Sequence, residues 1–245
     1  MERQEVMAGS PAAPAPRSDP WDLPDVSDLT VAVLGGTGEQ GRGLATRWAA
    51  AGQRVIIGSR VAERAVGAAV EVSEAIGTPG AVLGMANAEA AATADVVLVA
   101  VPWASHAGTL SALVEPLAGK VLIDCVNPLG FDSRGAYALV VPEGSAAQPA
   151  ADLLPDSNVV AAFHHVSAKV LSDLSIAEVH SDVLVLGDDR AATDIVQALA
   201  GLIPGMRGVY AGRLRNAGQV EALTANLIST NRRYKSHASI AVTGL

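Results

Sequence analysis

The chain has 245 residues, a formal net charge of −8 at pH 7, half of its residues hydrophobic and only 3 % aromatic. That length supports one sizeable core with a small appendage rather than two full domains, and a core of Ala, Val, Leu and Ile favours helices packed on a sheet over an aromatic-rich sandwich. The acidic balance excludes a general nucleic-acid binder, and the lone Cys125 excludes a disulfide framework or a multi-cysteine metal site.

Residues 1–28 contain AGSPAAPAPRSDP, whose prolines and small side chains cannot build a core, and are expected to form a disordered leader without chemistry. Residues 30–34 (TVAVL) read as a strand closed by glycines, 40–51 as a helix stopped by Gly52, and 54–57 as a second strand. Alternation continues with a helix over 61–76, a strand near 81–85, a helix over 87–93 and a strand at 96–101. Apolar runs at 121–125, 159–163 and 183–186 read as further strands. Between the first two lies NPLGFDSRGAYALVVPEGSAAQPAADLLPDS, too long and too rich in Pro, Gly and Ser for a simple connection. It is either a cover over a ligand or a surface excursion.

Residues 190–202 read as a helix, and the last 30, from NAGQVEALTANLIST onward, have helical spacing and no new strand. The expected architecture is therefore α/β: a Rossmann-type, doubly wound, mostly parallel sheet over 29–206 and a small helical C-terminal unit over 207–245. No apolar run reaches the roughly 18 residues of a membrane span, and no signal peptide is evident, so a soluble cytoplasmic protein is expected.

The first strand-turn-helix carries Gly36-Thr37-Gly38-Glu39-Gln40-Gly41, a G-x-G-x-x-G. Gly36 would allow the tight turn, Gly38 the approach of a pyrophosphate, and Gly41 close helix–strand packing, while the helix start offers free N–H groups to the phosphates. At the end of the second strand, an NAD enzyme places a carboxylate for the ribose hydroxyls. This chain places Ser59 and Arg60 there, with Arg64 one helical turn on, a set suited to the 2′-phosphate of NADP. The alternative for the two arginines is a solvated helix face.

In a doubly wound sheet the working cleft lies beyond the carboxyl ends of the strands. The candidates there are Val101, Pro102 and Trp103, then Asn127 and Pro128, then His164, His165, Val166, Ser167 and Ala168. Trp103 is either a ring to lie against the nicotinamide or a rim aromatic capping a helix. Asn127 either orients the nicotinamide carboxamide or forms an Asn-Pro turn. His164 and His165 point to opposite sides and lack ligand-spaced partners, so no metal is expected; proton transfer or a hydrogen bond to a ligand carbonyl remains open. Cys125, inside an apolar strand, is expected to be an inert buried thiol.

The stretches AVLGGTGEQGRGLATRWAAAGQRVIIGSR, VPW, AFHHVSA and NAGQVEALTANLI together resemble the F420-dependent NADP reductases, also called F420H2:NADP oxidoreductases, over nearly the whole chain from Thr30 onward. The resemblance implies reversible hydride transfer between C4 of NADPH and C5 of the deazaflavin coenzyme F420, stacked on each other without metal or covalent intermediate. It implies Thr37, Ser59, Arg60 and Arg64 around the 2′-phosphate, the glycine loop on the pyrophosphate, and Trp103 with residues 164–168 on the deazaflavin side. Archaeal members have Thr and Pro where this chain has His165 and Ser167.

The family's C-terminal unit closes the second-cofactor site, which makes Asn216, Glu221, Thr224 and Leu227 candidates by position. Arg232-Arg233-Tyr234-Lys235 either meets the phosphate and glutamate tail of coenzyme F420 or is a solvated basic end. A homodimer is implied. The rival expectations are an NADPH-dependent reductase of a flavin, ferric complex or imine, and a non-catalytic NADPH sensor. The segment after Leu202 is short for the dimerising helical domain of a proline-biosynthesis imine reductase.

Overall fold

The computed structural model describes residues 19–245. The chain opens with β1 (Thr30–Leu34), α1 (Glu39–Ala50), β2 (Arg54–Ser59), α2 (Ala62–Ala75) and β3 (Val82–Ala86). It continues with α3 (Asn87–Thr93), β4 (Val96–Val99), α4 (Trp103–Ser111), α5 (Val114–Leu117) and β5 (Val121–Asp124). A hairpin, β6 (Leu129–Asp132) and β7 (Gly135–Ala138), precedes α6 (Ala147–Leu153), β8 (Asn158–Ala161) and α7 (Ala168–Ser172). Last come β9 (Ser181–Gly187), α8 (Arg190–Gly201), β10 (Met206–Gly212), a 3-10 turn at Leu214–Asn216 and α9 (Ala217–Tyr234).

The main sheet has eight strands in the order β10-β9-β8-β5-β4-β1-β2-β3. The six from β8 to β3 are mutually parallel, while β9 runs antiparallel to β8 and pairs in parallel with β10. Alternation sorts each central strand onto two apolar layers: Val31 and Val33 join one core, Ala32 and Leu34 the other. The first layer takes the inner faces of α1, α2, α7 and α8; the second takes α3, α5, α6 and the start of α9. Small residues let the helices lie close. A Cβ on Gly84 of β3 would meet the Ala65 backbone of α2 at 2.4 Å.

The register decides where chemistry is possible. Leu34 is level with Val99, Val99 with Asp124 and Asp124 with Ala161, so β1, β4, β5 and β8 end on one line and their following loops open on one edge.

Several expectations are corrected. Residues 1–18 of the expected leader lie outside the described residues. Residues 19–28 pack on the domain: Val26 is buried, the Gln53 side-chain amide donates to the Val26 and Leu29 carbonyls, and the Arg207 guanidinium lies 5.3 Å from the Trp21 ring centroid. The long excursion after β5 holds the hairpin and α6. The C-terminal unit begins later than expected, because Met206–Gly212 is the sheet's outer strand. Its sequence, MRGVYAG, lacks an apolar run since α8 presses on it; a Cβ on Gly208 would sit 2.4 Å from Gln197 Cα.

Between β8 and β9 the backbone is held by a buried cation. Arg47 of α1 is buried, and its guanidinium donates to the carbonyls of Val170, Leu171, Asp173 and Ile176 at 2.6–2.9 Å. It caps the C-terminal end of α7, where helix carbonyls lack partners and the dipole favours a cation. Desolvation lowers its pKa from the usual arginine value.

Gly84→Ala is expected to push α2 off β3 and cost about 1–3 kcal/mol, lowering Tm by several degrees. Gly67→Ala, in the same helix but with open space around its Cβ position, is expected to raise Tm by about 1–3 °C through reduced unfolded-state entropy. Thermal unfolding of both variants checks the packing; equal effects would contradict it.

Candidate active site

The β1–α1 turn is tight and leaves the start of α1 open. Gly35 has φ +81°, and a Cβ there would meet the Ala100 carbonyl oxygen at 2.5 Å, so the tight left-handed position belongs to Gly35 and not to Gly36 as the motif suggests. Gly41 lies against Gly35 and Gly36 as expected. Gly38 is different: a Cβ there would touch only the Gly35 carbonyl oxygen, at 3.3 Å, and otherwise face open space. It is also the N-cap of α1, and no side chain caps it. The first-turn N–H groups are left for an anion.

Past the end of β2, a cavity of about 470 Å³ is lined by Ser59, Arg60, Asn87, Ser105 and Thr109 among others. The Ser59 hydroxyl oxygen accepts a 3.3 Å hydrogen bond from the Val61 amide, which leaves its own hydrogen free to donate. Asn87 Oδ1 is buried with no partner among the described residues. Sequence reasoning missed Asn87, although its place one residue past Ala86, the β3 residue level with Ser59 of β2, makes it findable once the strand order is known. Thr37 and Arg64 are exposed and do not line this cavity.

A second cavity, about 430 Å³, lies over the ends of β4, β5 and β8. It brings together Glu39, Gln40, Val101, Asn127, His164, His165, Val166, Ser167, Ala168 and Thr224 of the expected set, together with Leu227. Ile228 and Asn231 were missed; they follow Thr224 at helical spacings of four and seven on α9.

The turn after β8 is held from three sides. Phe163 is in the left-handed region, φ 65°, with its ring edge-on to Trp48 at 5.4 Å. Gln40 Nε2 donates to the Phe163 carbonyl at 3.2 Å; Asn127 Nδ2 and Thr224 Oγ1 donate to the His164 carbonyl at 2.9 and 3.1 Å. Asn127 therefore spends an amide hydrogen on the fold, as Gln40 does.

Burial lowers both His164 and His165 to a pKa of about 4, so both rings are neutral near pH 7. The Leu184 amide donates to His165 Nε2 at 3.3 Å, which assigns the ring proton to Nδ1. Neither ring nitrogen of His164 has a partner among the described residues. A buried imidazole left unsatisfied in a cavity wall is a group that a polar ligand atom would satisfy. Cys125 is buried, and desolvation raises its thiol pKa, as expected of an inert side chain.

Other expected residues sit outside this cavity. Pro102 is the exposed N-cap of α4, Pro128 is buried beside β6, and Trp103 packs on the second core and on the His106 ring at 5.4 Å. His106 Nε2 in turn lies 2.6 Å from Asp124 Oδ2, both buried. Asn216 is in the turn before α9, away from the lining. Glu221 is buried and accepts from the Ala146 and Ala147 amides, so it anchors α9 to the loop before α6 rather than facing a ligand. Burial raises its pKa to about 7.

Phosphate space at Gly38, and a cavity on the same sheet edge reached from the same helix start, define an oxidoreductase of the Rossmann class built for a nicotinamide dinucleotide. Comparison with known proteins narrows the class. Residues 30–128 match the family described as NADP oxidoreductase, coenzyme F420-dependent. The F420-dependent NADP reductase of Methanothermobacter marburgensis is 42 % identical over 223 residues, covering 89 % of this chain and 99 % of the relative. That of Methanocaldococcus jannaschii is 37 % identical with the same coverage. An Arthrobacter sp. FB24 structure assigned as an F420-dependent NADP reductase superposes with TM-score 0.72 at 28 % identity, over 87 % of this chain and all of that one. An Aspergillus terreus reductive aminase in complex with NADPH, at TM-score 0.59 and 20 % identity over 84 % of this chain and 62 % of its own, shares the fold. The chain belongs to the F420-dependent NADP reductase family.

Glu221 gives a pH test. Its folded-state pKa is above the ordinary 4.5, so its contribution to stability is complete below about pH 4.5 and is lost as pH rises through 7. The two histidines act in the opposite sense, contributing above pH 6.5 and losing it as pH falls through about 4. Glu221→Gln keeps an acceptor for the Ala146 amide without the charge. Its Tm relative to wild type is expected to rise between pH 5 and pH 8, with a gain on the order of 1–3 kcal/mol; parallel pH–Tm curves would contradict the assignment.

Proposed function

We propose that the protein transfers a hydride, in either direction, between NADP(H) and coenzyme F420. The observation that carries this reading is the shared wall: Glu39 and Gln40 begin the phosphate-binding helix and also line the cavity over β4, β5 and β8. A dinucleotide held by the α1 start is thereby directed toward the place where a second ring system fits.

The two bound carriers supply the hydride donor and acceptor, and the protein supplies geometry. The α1 amides and the space at Gly38 fit the pyrophosphate, and Ser59 with Arg60 fits a 2′-phosphate. No carboxylate stands at that position to accept ribose hydroxyls. Val101, Val166 and Leu227 give the second cavity an apolar portion of its wall, against which a flat ring can lie. His164, neutral and unsatisfied, is suited to hydrogen-bond a polar edge of a flat ring without placing a charge next to it. The Gln40, Asn127 and Thr224 donors hold the turn that presents it. The helical C-terminal unit is the closing wall, through Thr224, Leu227 and Ile228 of α9.

A homodimer is supported by apolar side chains left exposed on the β6–β7 hairpin and beyond it, Phe131, Tyr137 and Val140, and by the open edge of β10. Among the described residues no helix is long and apolar enough to cross a membrane. The single unpaired thiol makes no demand for an oxidising compartment, consistent with a cytoplasmic enzyme.

The test follows the loss of oxidised coenzyme F420 absorbance on adding NADPH, with NADH and a free flavin in parallel. Rapid bleaching with NADPH and little with NADH is expected. Ser59→Asp with Arg60→Ala is expected to lower kcat/KM for NADPH by about 10²-fold and to narrow or reverse the preference over NADH. NADPH binding without bleaching would leave a sensor or another acceptor, and an unchanged NADPH/NADH ratio in the double variant would refute the phosphate role.

A further inference from the structure

A third cavity, of about 420 Å³, lies beside the second and shares Ser167, Ala168, Ile228 and Asn231 with it. What it adds is two cations, Lys169 from α7 and Lys235 at the end of α9, together with Ser236 and His237. Its lining includes no carboxylate, in a chain whose net charge is −8. Both lysines are exposed, and neither has a carboxylate partner among the described residues. The His237 ring nitrogen lies 3.4 Å from the Ser167 hydroxyl, so the segment after α9 is drawn against the wall common to both cavities.

Lys235 also ends α9 in the left-handed conformation, φ 51° and ψ 46°. Glycine or asparagine adopts that conformation at lower cost, so a lysine there trades helix-end stability for a charge at this opening.

We propose that the third cavity is an anion subsite for the acidic tail of the deazaflavin carrier, with Lys169 and Lys235 meeting its phosphate and glutamate carboxylates while the ring occupies the second cavity. This inference rests on the function proposed above. The geometry also divides the basic run at the end of α9. Arg232 and Arg233 line a fourth cavity against the β6–β7 hairpin, where Arg134 is already paired with Asp132 at 3.4 Å, and that cavity shares only Ile228 with the second. The tail therefore leaves between α7 and α9, not under the hairpin.

The test compares coenzyme F420 carrying its phosphate and glutamate tail with the tail-less deazaflavin that ends in a ribityl hydroxyl. Steady-state KM with NADPH, and equilibrium binding by deazaflavin fluorescence without NADPH, are measured for wild type, Lys169→Ala/Lys235→Ala and Lys169→Arg/Lys235→Arg. The alanine pair is expected to raise KM and Kd for the tailed carrier about tenfold, the sum of two exposed charge contacts, with the tail-less values and Tm unchanged. The arginine pair restores tight binding, and the wild-type preference for the tailed carrier shrinks as salt is raised from 20 to 500 mM, as it must when charges are screened. An unchanged tailed/tail-less ratio in the alanine pair, or an equal loss for both carriers, overturns the subsite while leaving the proposed function intact. If wild type reduces neither deazaflavin, the proposed function fails and the subsite fails with it.

Discussion

Two consecutive backbone carbonyls at the end of β8, those of Phe163 and His164, organise the site. They follow a strand that stops at Ala161 and belong to a turn that puts Phe163 at φ 65°, a conformation costing a bulky residue about 1–2 kcal/mol. Buried carbonyls need donors. Those donors come from α1 (Gln40), from just beyond β5 (Asn127) and from α9 (Thr224). One strained turn thereby joins α1, the sheet edge and the C-terminal helix. The wall of the second cavity inherits its shape from that junction.

The other buried polar side chains of the elements that meet at this edge are mostly committed to structure. Arg47 gives its guanidinium to the end of α7, Glu221 its carboxylate to the amides before α6, and Asp124 one oxygen to His106 and the other to the Val126 amide. These side chains look catalytic by type. Their partners show that they hold walls in place. What stays unspent among the described residues is the His164 imidazole, His165 Nδ1, Asn87 Oδ1 and the first-turn amides of α1, and the two histidines and Asn87 line the cavities described above.

Much of this was legible from the residues alone. The β1–α1–β2 unit reads directly, because its alternation, glycine spacing and helix stop are local signals. So does the list of loops at the sheet edge, since parallel strands fix which loops share it. The functions of individual side chains were less legible. Asn127 and Gln40 spend their amides on carbonyls over 35 residues away in the chain, Trp103 turned toward His106, and Gly35 rather than Gly36 took the left-handed turn, with the Ala100 carbonyl close against it. β10 escaped notice because the closeness of α8 demands glycine where a strand would ordinarily show an apolar residue.

By itself the sequence determined the fold class and the family, because each of these depends on residues near one another in the chain or on a repeated strand–helix period. Tertiary structure alone decided which polar side chains face a ligand and which satisfy backbone. That choice depends on carbonyls and amides brought together from distant segments, and on burial, which leaves His164 and His165 neutral and raises the pKa of Glu221 toward neutrality. Neither effect is encoded within any single stretch of the chain.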